Sequence, residues 1–233
     1  VARSLSDSVV AVLGAGGGLG TPISAALHAR GARLLLAGPH PDRLPVLPGA
    51  ATVALDVRDP GAGDTLVTAA TERFGRLDGL VNAAGVVAFG SLVDTDDAVV
   101  EELFLTNVMG PLWLLRRVAP LLIDTKGFVV QLSAVVAEQP LAGMAPYAAS
   151  KAALTAADRA VARELRRVGV SVCDVRPPHT ETQLARHPLA GAPPKLPVGL
   201  DPERIADRIV VAIEQGETDV PAASFVDDAQ ARP

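Results

Sequence analysis

Along the chain, short runs of Val, Leu and Ala alternate with longer stretches whose apolar residues recur at helical spacing. The period switches predict strands at Val9–Leu13, Arg33–Ala37, Val53–Leu55, Gly79–Asn82, Phe128–Leu132 and Val170–Val175. Between them lie helical patterns at Pro22–Arg30, Thr65–Phe74, Asp96–Leu122 and Tyr147–Val168. A further helix is expected over Pro202–Gln215, with Asp201 as N-cap and proline at the first helical position, followed by a strand near Asp219–Phe225. The strands are apolar at almost every position, as in Val9-Val10-Ala11-Val12-Leu13, which suits a sheet buried on both faces. Strand and helix in strict alternation then imply an α/β fold: a Rossmann-type, doubly wound parallel sheet of about seven strands with helices on both faces.

Composition sharpens this picture. Aromatic residues are only 3% of the 233, so the core is built from small and aliphatic side chains that let helices lie close to the sheet. One domain spanning 1–233 is expected, with the proline-rich segment 186–201 as a substrate-side loop and 226–233 as a polar tail. A formal net charge of −5, with the arginines dispersed, argues against a nucleic-acid partner. Cys173 is the only cysteine, which excludes an internal disulfide and a multi-cysteine metal centre, and no metal site is expected. The first 13 residues carry no basic segment followed by a long apolar one, and other apolar runs are broken short of the roughly 18 residues needed to cross a bilayer. A cytoplasmic protein with no membrane partner is the expectation.

The candidate chemistry starts at Gly14-Ala15-Gly16-Gly17-Gly18-Leu19-Gly20, directly after the first strand and running into a helix. Glycine lets the backbone come close to a pyrophosphate, and the N–H groups at a helix start favour its negative charge. Gly14, Gly16, Gly17, Gly18, Leu19 and Gly20 are therefore candidate dinucleotide contacts. At the end of the second strand, an acid would bind the ribose 2′-hydroxyl of NAD and an arginine the 2′-phosphate of NADP. The chain has Gly38-Pro39-His40 there, so neither marker is present. The missing carboxylate removes a repulsion, and His40 and Arg43 are in reach of a phosphate, so NAD(P) is the expected cofactor with a lean toward NADP.

A second cluster is Tyr147-Ala148-Ala149-Ser150-Lys151, whose spacing of four puts phenol and ammonium on one helix face. A neighbouring positive charge favours a phenolate and so makes tyrosine a usable acid or base near neutral pH. Tyr147 is the only tyrosine in the chain.

Together with Asn82-Ala83-Ala84-Gly85 and Arg176-Pro177-Pro178-His179-Thr180-Glu181-Thr182, these motifs resemble, in order, those of the short-chain dehydrogenase/reductase family over roughly residues 8–185. The resemblance implies hydride transfer between NAD(P)(H) and a small-molecule carbonyl or alcohol, with Tyr147 as acid/base and Lys151 positioning the nicotinamide ribose and lowering the tyrosine pKa. It implies a proton relay through a water on the backbone carbonyl of Asn107, and cofactor contacts from Asp56, Val57, Asn82, Ala83, Ala84, Gly85, Ser133, Tyr147, Lys151, Pro177, Thr180 and Thr182. It also implies a homodimer or homotetramer through the two long helices. Several positions depart from the family pattern: Leu13 for a threonine, Ala83 for the second asparagine and Pro178 for a glycine. The largest departure is Ala134, thirteen residues before Tyr147, where the family carries the serine that polarises the substrate carbonyl. Ser133 is its neighbour and on a regular strand faces the other way, while His179 and Gln139 are candidate replacements. The alternative reading is a dinucleotide-binding protein of this kind with little or no turnover.

Overall fold

The computed structural model describes residues 2–225, so the expected tail at 226–233 lies outside the described residues. Seven strands form one parallel sheet in the order β3-β2-β1-β4-β5-β6-β7. They are β1 (Val9–Leu13), β2 (Arg33–Gly38), β3 (Ala51–Ala54), β4 (Gly79–Asn82), β5 (Phe128–Leu132), β6 (Ser171–Val175) and β7 (Asp219–Val220). The order reverses between β1 and β4, and it is beyond the carboxyl ends of the strands at such a reversal that open α/β sheets form a ligand-binding crevice. The helices are α1 (Gly20–Ala29), α2 (Ala62–Phe74), α3 (Asp97–Phe104), α4 (Gly110–Thr125), α5 (Ala145–Arg166) and α6 (Pro202–Gln215).

The alternation of side chains along each strand splits the core in two. Val10, Val12, Leu34 and Leu36 pack with Ile23 and Leu27 of α1 and with Ile205, Ile209 and Val210 of α6. Val9, Ala11, Leu13 and Leu35 face the other way, onto Leu66 and Ala70 of α2 and Leu114, Val118 and Leu122 of α4. Both faces of the central strands are therefore buried, which explains their nearly unbroken apolar runs, while alternate residues of the edge strand β3 are exposed.

The long helix expected over Asp96–Leu122 is present as one helix over 97–125, but it is not α-helical throughout. A π-helical segment, Leu105–Met109, separates α3 from α4. The cause is Pro111: it lacks the N–H that would meet the Asn107 carbonyl in a continuous α-helix, and its ring crowds that same carbonyl. The π segment lets Gly110 press against the chain after β3, where a Cβ would lie 2.3 Å from the Val57 carbonyl oxygen. Taken as one stretch, residues 97–125 are long and apolar enough by composition to cross a membrane. In the fold, Leu103, Leu114, Leu115, Val118 and Leu122 of that stretch are buried.

The last strand is also shorter than expected. Pairing stops at Val220, and Pro221, whose fixed φ suits the start of a turn, leads into a short 3₁₀ helix over Ala222–Phe225. The start of α6 is as expected, the Asp201 carboxylate accepting from the Glu203 N–H at 2.8 Å. Segment 186–201 is largely irregular, but it is tied down at both ends. Leu189 donates to the Val87 carbonyl at 2.8 Å and Phe89 to that of Ala190 at 2.9 Å; Glu181 donates to Leu200 and Leu200 to His179, each at 2.9 Å.

The tight contact at Gly110 gives a test of this packing. Gly110→Ala is expected to lower unfolding free energy by about 1–3 kcal/mol, the usual cost of overpacking, since the nearest atom is backbone and cannot turn aside. Urea unfolding with an unchanged midpoint would contradict the placement of α4 against Val57.

Candidate active site

The glycine turn is shaped by contacts that leave no room for side chains. Gly14 has φ +67°, and a Cβ on it would sit 2.8 Å from Ala84. On Gly18 it would meet the Thr182 side chain at 2.5 Å, and on Gly20 the Gly14 carbonyl at 2.0 Å. The turn is thus wedged against the end of β4 on one side and the segment after β6 on the other. Gly16, Gly17 and Gly18 are exposed, so bare backbone faces the crevice at the start of α1, with Leu19 half-buried beside it. A Cβ on Gly16 would lie 2.6 Å from the Arg43 carbonyl, which brings Arg43 beside the turn. Its side chain is exposed and, among the described residues, in no ion pair.

From the turn, the crevice floor continues over Ala83, Ala84, Gly85 and Val86, all half-buried. Asn82 holds this stretch: its Oδ1 accepts from the Ala84 N–H at 3.2 Å, and its Nδ2 donates to Gln131 Oε1 at 2.7 Å. Asp56 and the buried Val57 follow β3 on the far side of the turn. The Asp56 carboxylate is gripped by Arg58, whose Nε lies 2.9 Å from Oδ1, and the hydrogen bond from Arg58 holds its pKa below the ordinary value. Arg58 also reaches Glu102 at 2.8 Å.

Asn107 is fully buried and clamps the Val86 backbone. Its Oδ1 accepts from the Val86 N–H at 2.9 Å, and its Nδ2 donates to the Val86 carbonyl and to Ser150 Oγ, both at 3.0 Å. Ser150 in turn donates to the Tyr147 carbonyl at 2.8 Å. Gly85 marks the convergence point: a Cβ there would stand 3.2 Å from both Asn107 Oδ1 and Lys151 Nζ. Ser150 belongs to the tyrosine motif, and its bridging position is not readable from spacing alone.

Tyr147 is only 6% exposed and sits in an apolar cluster with Val87, Phe89, Val136 and Met144, against which Ala134, Ala185 and Ala190 pack. Burial pushes its phenol well above the ordinary tyrosine range. The lowering expected from Lys151 is not seen in the ligand-free protein. Lys151 donates instead to the Leu132 carbonyl at 2.9 Å, and burial brings its pKa down to about 8 against the pull of Asp158 and Asp174.

Ala134 shares the tyrosine's surroundings, whereas Ser133 does not. Ser133 Oγ donates to Asp174 Oδ1 at 2.7 Å and accepts from Thr155 Oγ1 at 3.0 Å, so it belongs to a buried polar layer between β6 and α5. Asp174 and Arg176, both on or just after β6, are ion-paired in that layer, and Arg176 also holds Glu138 and Asp219. Pro177 accepts from the Val135 N–H at 3.0 Å, and Thr180 Oγ1 donates to the Pro178 carbonyl at 2.9 Å. His179 lines a separate cleft of roughly 510 Å³ with Glu181, Thr182, Arg186 and Pro193, and its Nε2 lies 3.8 Å from Glu181. Gln139 is exposed beyond the turn that follows β5.

A bare glycine turn at a sheet reversal, packed against Ala84 just beyond the end of a strand, where the next residue, Gly85, borders a buried lysine, is the arrangement of a dinucleotide-dependent oxidoreductase. The family model described as short chain dehydrogenase matches residues 8–190. The chain belongs to the short-chain dehydrogenase family. Among its relatives, dehydrogenase/reductase SDR family member 7B of Bos taurus is 30% identical, over 92% of this chain and 73% of that protein. An uncharacterized oxidoreductase of Staphylococcus aureus is 27% identical over 91% and 93% of the two chains. The crystal structure of a short chain dehydrogenase from Burkholderia cenocepacia, in complex with NADP, superposes with a TM-score of 0.83 at 25% identity, covering 98% of this chain and 93% of that one. This short-chain dehydrogenase is accordingly an oxidoreductase built on a Rossmann-type fold.

Proposed function

We propose that this short-chain dehydrogenase transfers hydride between NADP(H) and the carbonyl or alcohol carbon of a small, largely apolar substrate, with Tyr147 as acid/base. The observation that carries the reading is the meeting of Asn107, Lys151 and the Ala83–Gly85 strand end at one point, beside a tyrosine in an apolar pocket.

When bound, the nicotinamide supplies or accepts the hydride. The exposed backbone of Gly16–Gly18 and the start of α1 would hold its pyrophosphate, with Thr180, Thr182 and Pro177 on the opposite wall. The lean to NADP rests on Gly38, which offers no carboxylate, and on the unpaired Arg43 at the turn, as well as on the Burkholderia relative. Tyr147 gives its proton to the carbonyl oxygen in reduction and takes one from the alcohol in oxidation. Its raised pKa keeps it protonated in the free protein, so the phenolate needs the Lys151 ammonium turned toward it. Lys151 would also hold the nicotinamide ribose. Asn107 serves through its backbone carbonyl, which Pro111 denies an α-helical partner and leaves for a relay water. Segment 186–201 is the substrate-side cover, because Ala190, together with Ala185 just before the segment, packs onto the tyrosine cluster.

A second reading, cofactor binding with little turnover, is favoured by one observation: Ala134 lies where a hydroxyl would polarise the carbonyl, and Ser133 is committed to Asp174. For assembly, we propose that copies of the chain pair through α4 and α5. Met109 and Ile123 are exposed, and α5 presents Ala145, Ala149, Ala152 and Ala156 on its outer face beside the exposed Leu141. Static light scattering at micromolar concentration is expected to give a dimer or tetramer; a monomer would remove this interface.

The function is tested with a panel of aldehydes, ketones and secondary alcohols read by nicotinamide absorbance with each cofactor. Tyr147→Phe is expected to keep cofactor affinity while turnover drops by about 10²–10⁴, the range for losing a positioned acid/base. Turnover within a few-fold of wild type would take Tyr147 out of the mechanism. Ala134→Ser is expected to raise the hydride-transfer rate by about a hundredfold, the low end of what one oxyanion donor is worth, with cofactor affinity unchanged. Should Ser133→Ala abolish turnover instead, the carbonyl donor would be Ser133, and the committed hydrogen bond to Asp174 would have to break on substrate binding.

A further inference from the structure

Beneath Lys151, α5 buries an acid that the proposed mechanism does not use. Asp158 is 1% exposed, and neither of its carboxylate oxygens has a hydrogen-bond partner among the described residues. It lies seven residues after Lys151 and three after Thr155, spacings that put all three on one face of the helix. That face meets β5 and β6, where Ser133 bonds both Thr155 and Asp174. Asp174 shares Arg176 with Glu138 and Asp219, so a single guanidinium faces three carboxylates. The charged groups that act on Asp158 are therefore Asp174 from β6, which repels a negative charge, and Lys151 from its own helix, which attracts one.

A buried carboxylate with no donor is among the most unfavourable groups a fold can hold, whereas the protonated acid is tolerable. We propose that Asp158 is a positioning residue that stores a proton on the helix face it shares with Lys151: giving that proton up leaves a buried negative charge that favours the charged form of the lysine. The rise of its pKa to about 8, beside a Lys151 brought down to about 8, puts the two titrations in the same range, as this requires. Each group then favours the charged form of the other, so the lysine keeps its proton to higher pH than burial alone would allow. The role rests on Lys151 acting in hydride transfer as proposed above, but its physical basis can be read without turnover.

Asp158→Asn copies the shape of the protonated acid and removes its ability to ionise. In the ligand-free protein, ¹⁵N-lysine NMR follows the buried Lys151 apart from the exposed Lys126 and Lys195. Lys151 is expected to titrate about one pH unit lower in the variant. Thermal melts give the second readout. A carboxyl whose pKa is raised on folding, from 3.8 to about 8, stabilises the protein fully below the lower value and loses that contribution as pH climbs to the higher one. The difference in Tm, wild type minus variant, should thus fall from pH 4 to pH 8 and be level above. With a turned-over substrate, the ratio of variant to wild-type kcat/KM should fall about tenfold between pH 6 and pH 9. A level Tm difference across the whole range would show that Asp158 ionises normally and would overturn the proposal. So would an unshifted Lys151 titration, or a rate ratio independent of pH. No turnover by either protein, with the Lys151 shift and the Tm slope intact, would sink the oxidoreductase reading and leave the stored proton standing.

Discussion

The structure hangs on the clamp between Asn107 and the backbone of Val86. One amide side chain satisfies both the N–H and the carbonyl of a residue that has just left the sheet, so the chain after β4 needs no ladder partner there. The remaining donor goes to Ser150, which fixes the first turn of α5 and with it the backbone of Tyr147. Three elements far apart in sequence are thereby locked to one another by a single buried residue. Removing it would strand a donor and an acceptor in an apolar interior, each at a cost of about 1–3 kcal/mol. The irregular helix is the condition for this arrangement. Without the π segment and Pro111, Asn107 would sit in an ordinary α-helical turn with its carbonyl consumed by the helix.

Around that clamp, polar groups divide into two layers with different tasks. The layer toward the crevice holds few: the tyrosine hydroxyl among aliphatic neighbours, and the bare backbone of the glycine turn. The layer below, between α5 and β6, holds many, and it is there that Ser133, Thr155, Asp158 and Asp174 are found. Lys151 is the one side chain that joins the two, with its stem in the lower layer and its ammonium against the Leu132 carbonyl. A hydroxyl one residue from the expected position therefore does different work. Ser133 stabilises the paired charges of the lower layer, and Ala134 leaves the upper one without a second donor.

The fold was legible because the central strands of the sheet are buried on both faces. Apolar runs such as Val9–Leu13 and Phe128–Leu132 mark strands, and the glycine turn after β1 marks the sheet reversal. The Tyr147/Lys151 pair was legible for a similar reason, since four-residue spacing on a helix is enough to bring two side chains together. Other features were hidden. Apolar residues are so dense around Leu105–Met109 that the phase shift of a π turn leaves no visible gap, so Asp96–Leu122 reads as one α-helix unless Pro111 is weighed against the carbonyl four residues earlier. Pro221 is the equivalent signal at the end of β7. Asp158 lies on a helix and Asp174 on the strand that follows it, and nothing in their local sequence says that they act on each other across β6 and α5. The lysine's effect on the tyrosine was misjudged because spacing gives proximity, whereas pKa depends on what else each group meets.

What the ligand-free geometry adds is a direction for Lys151. Its ammonium is held by one carbonyl and pulled by carboxylates beneath it, while the tyrosine above is raised by burial alone. A cofactor ribose in the crevice would offer Lys151 oxygen atoms on the upper side, beside Gly85, where the glycine leaves room. Turning toward them moves positive charge from the lower layer to the upper one. In a pocket this dry, a unit charge acts far more strongly than in water, so a small movement changes the phenol's acidity by a large amount. Under the proposed mechanism the tyrosine would be a poor base with the lysine in its present position and a useful one once the ammonium turned, which would couple proton transfer to the presence of a hydride carrier.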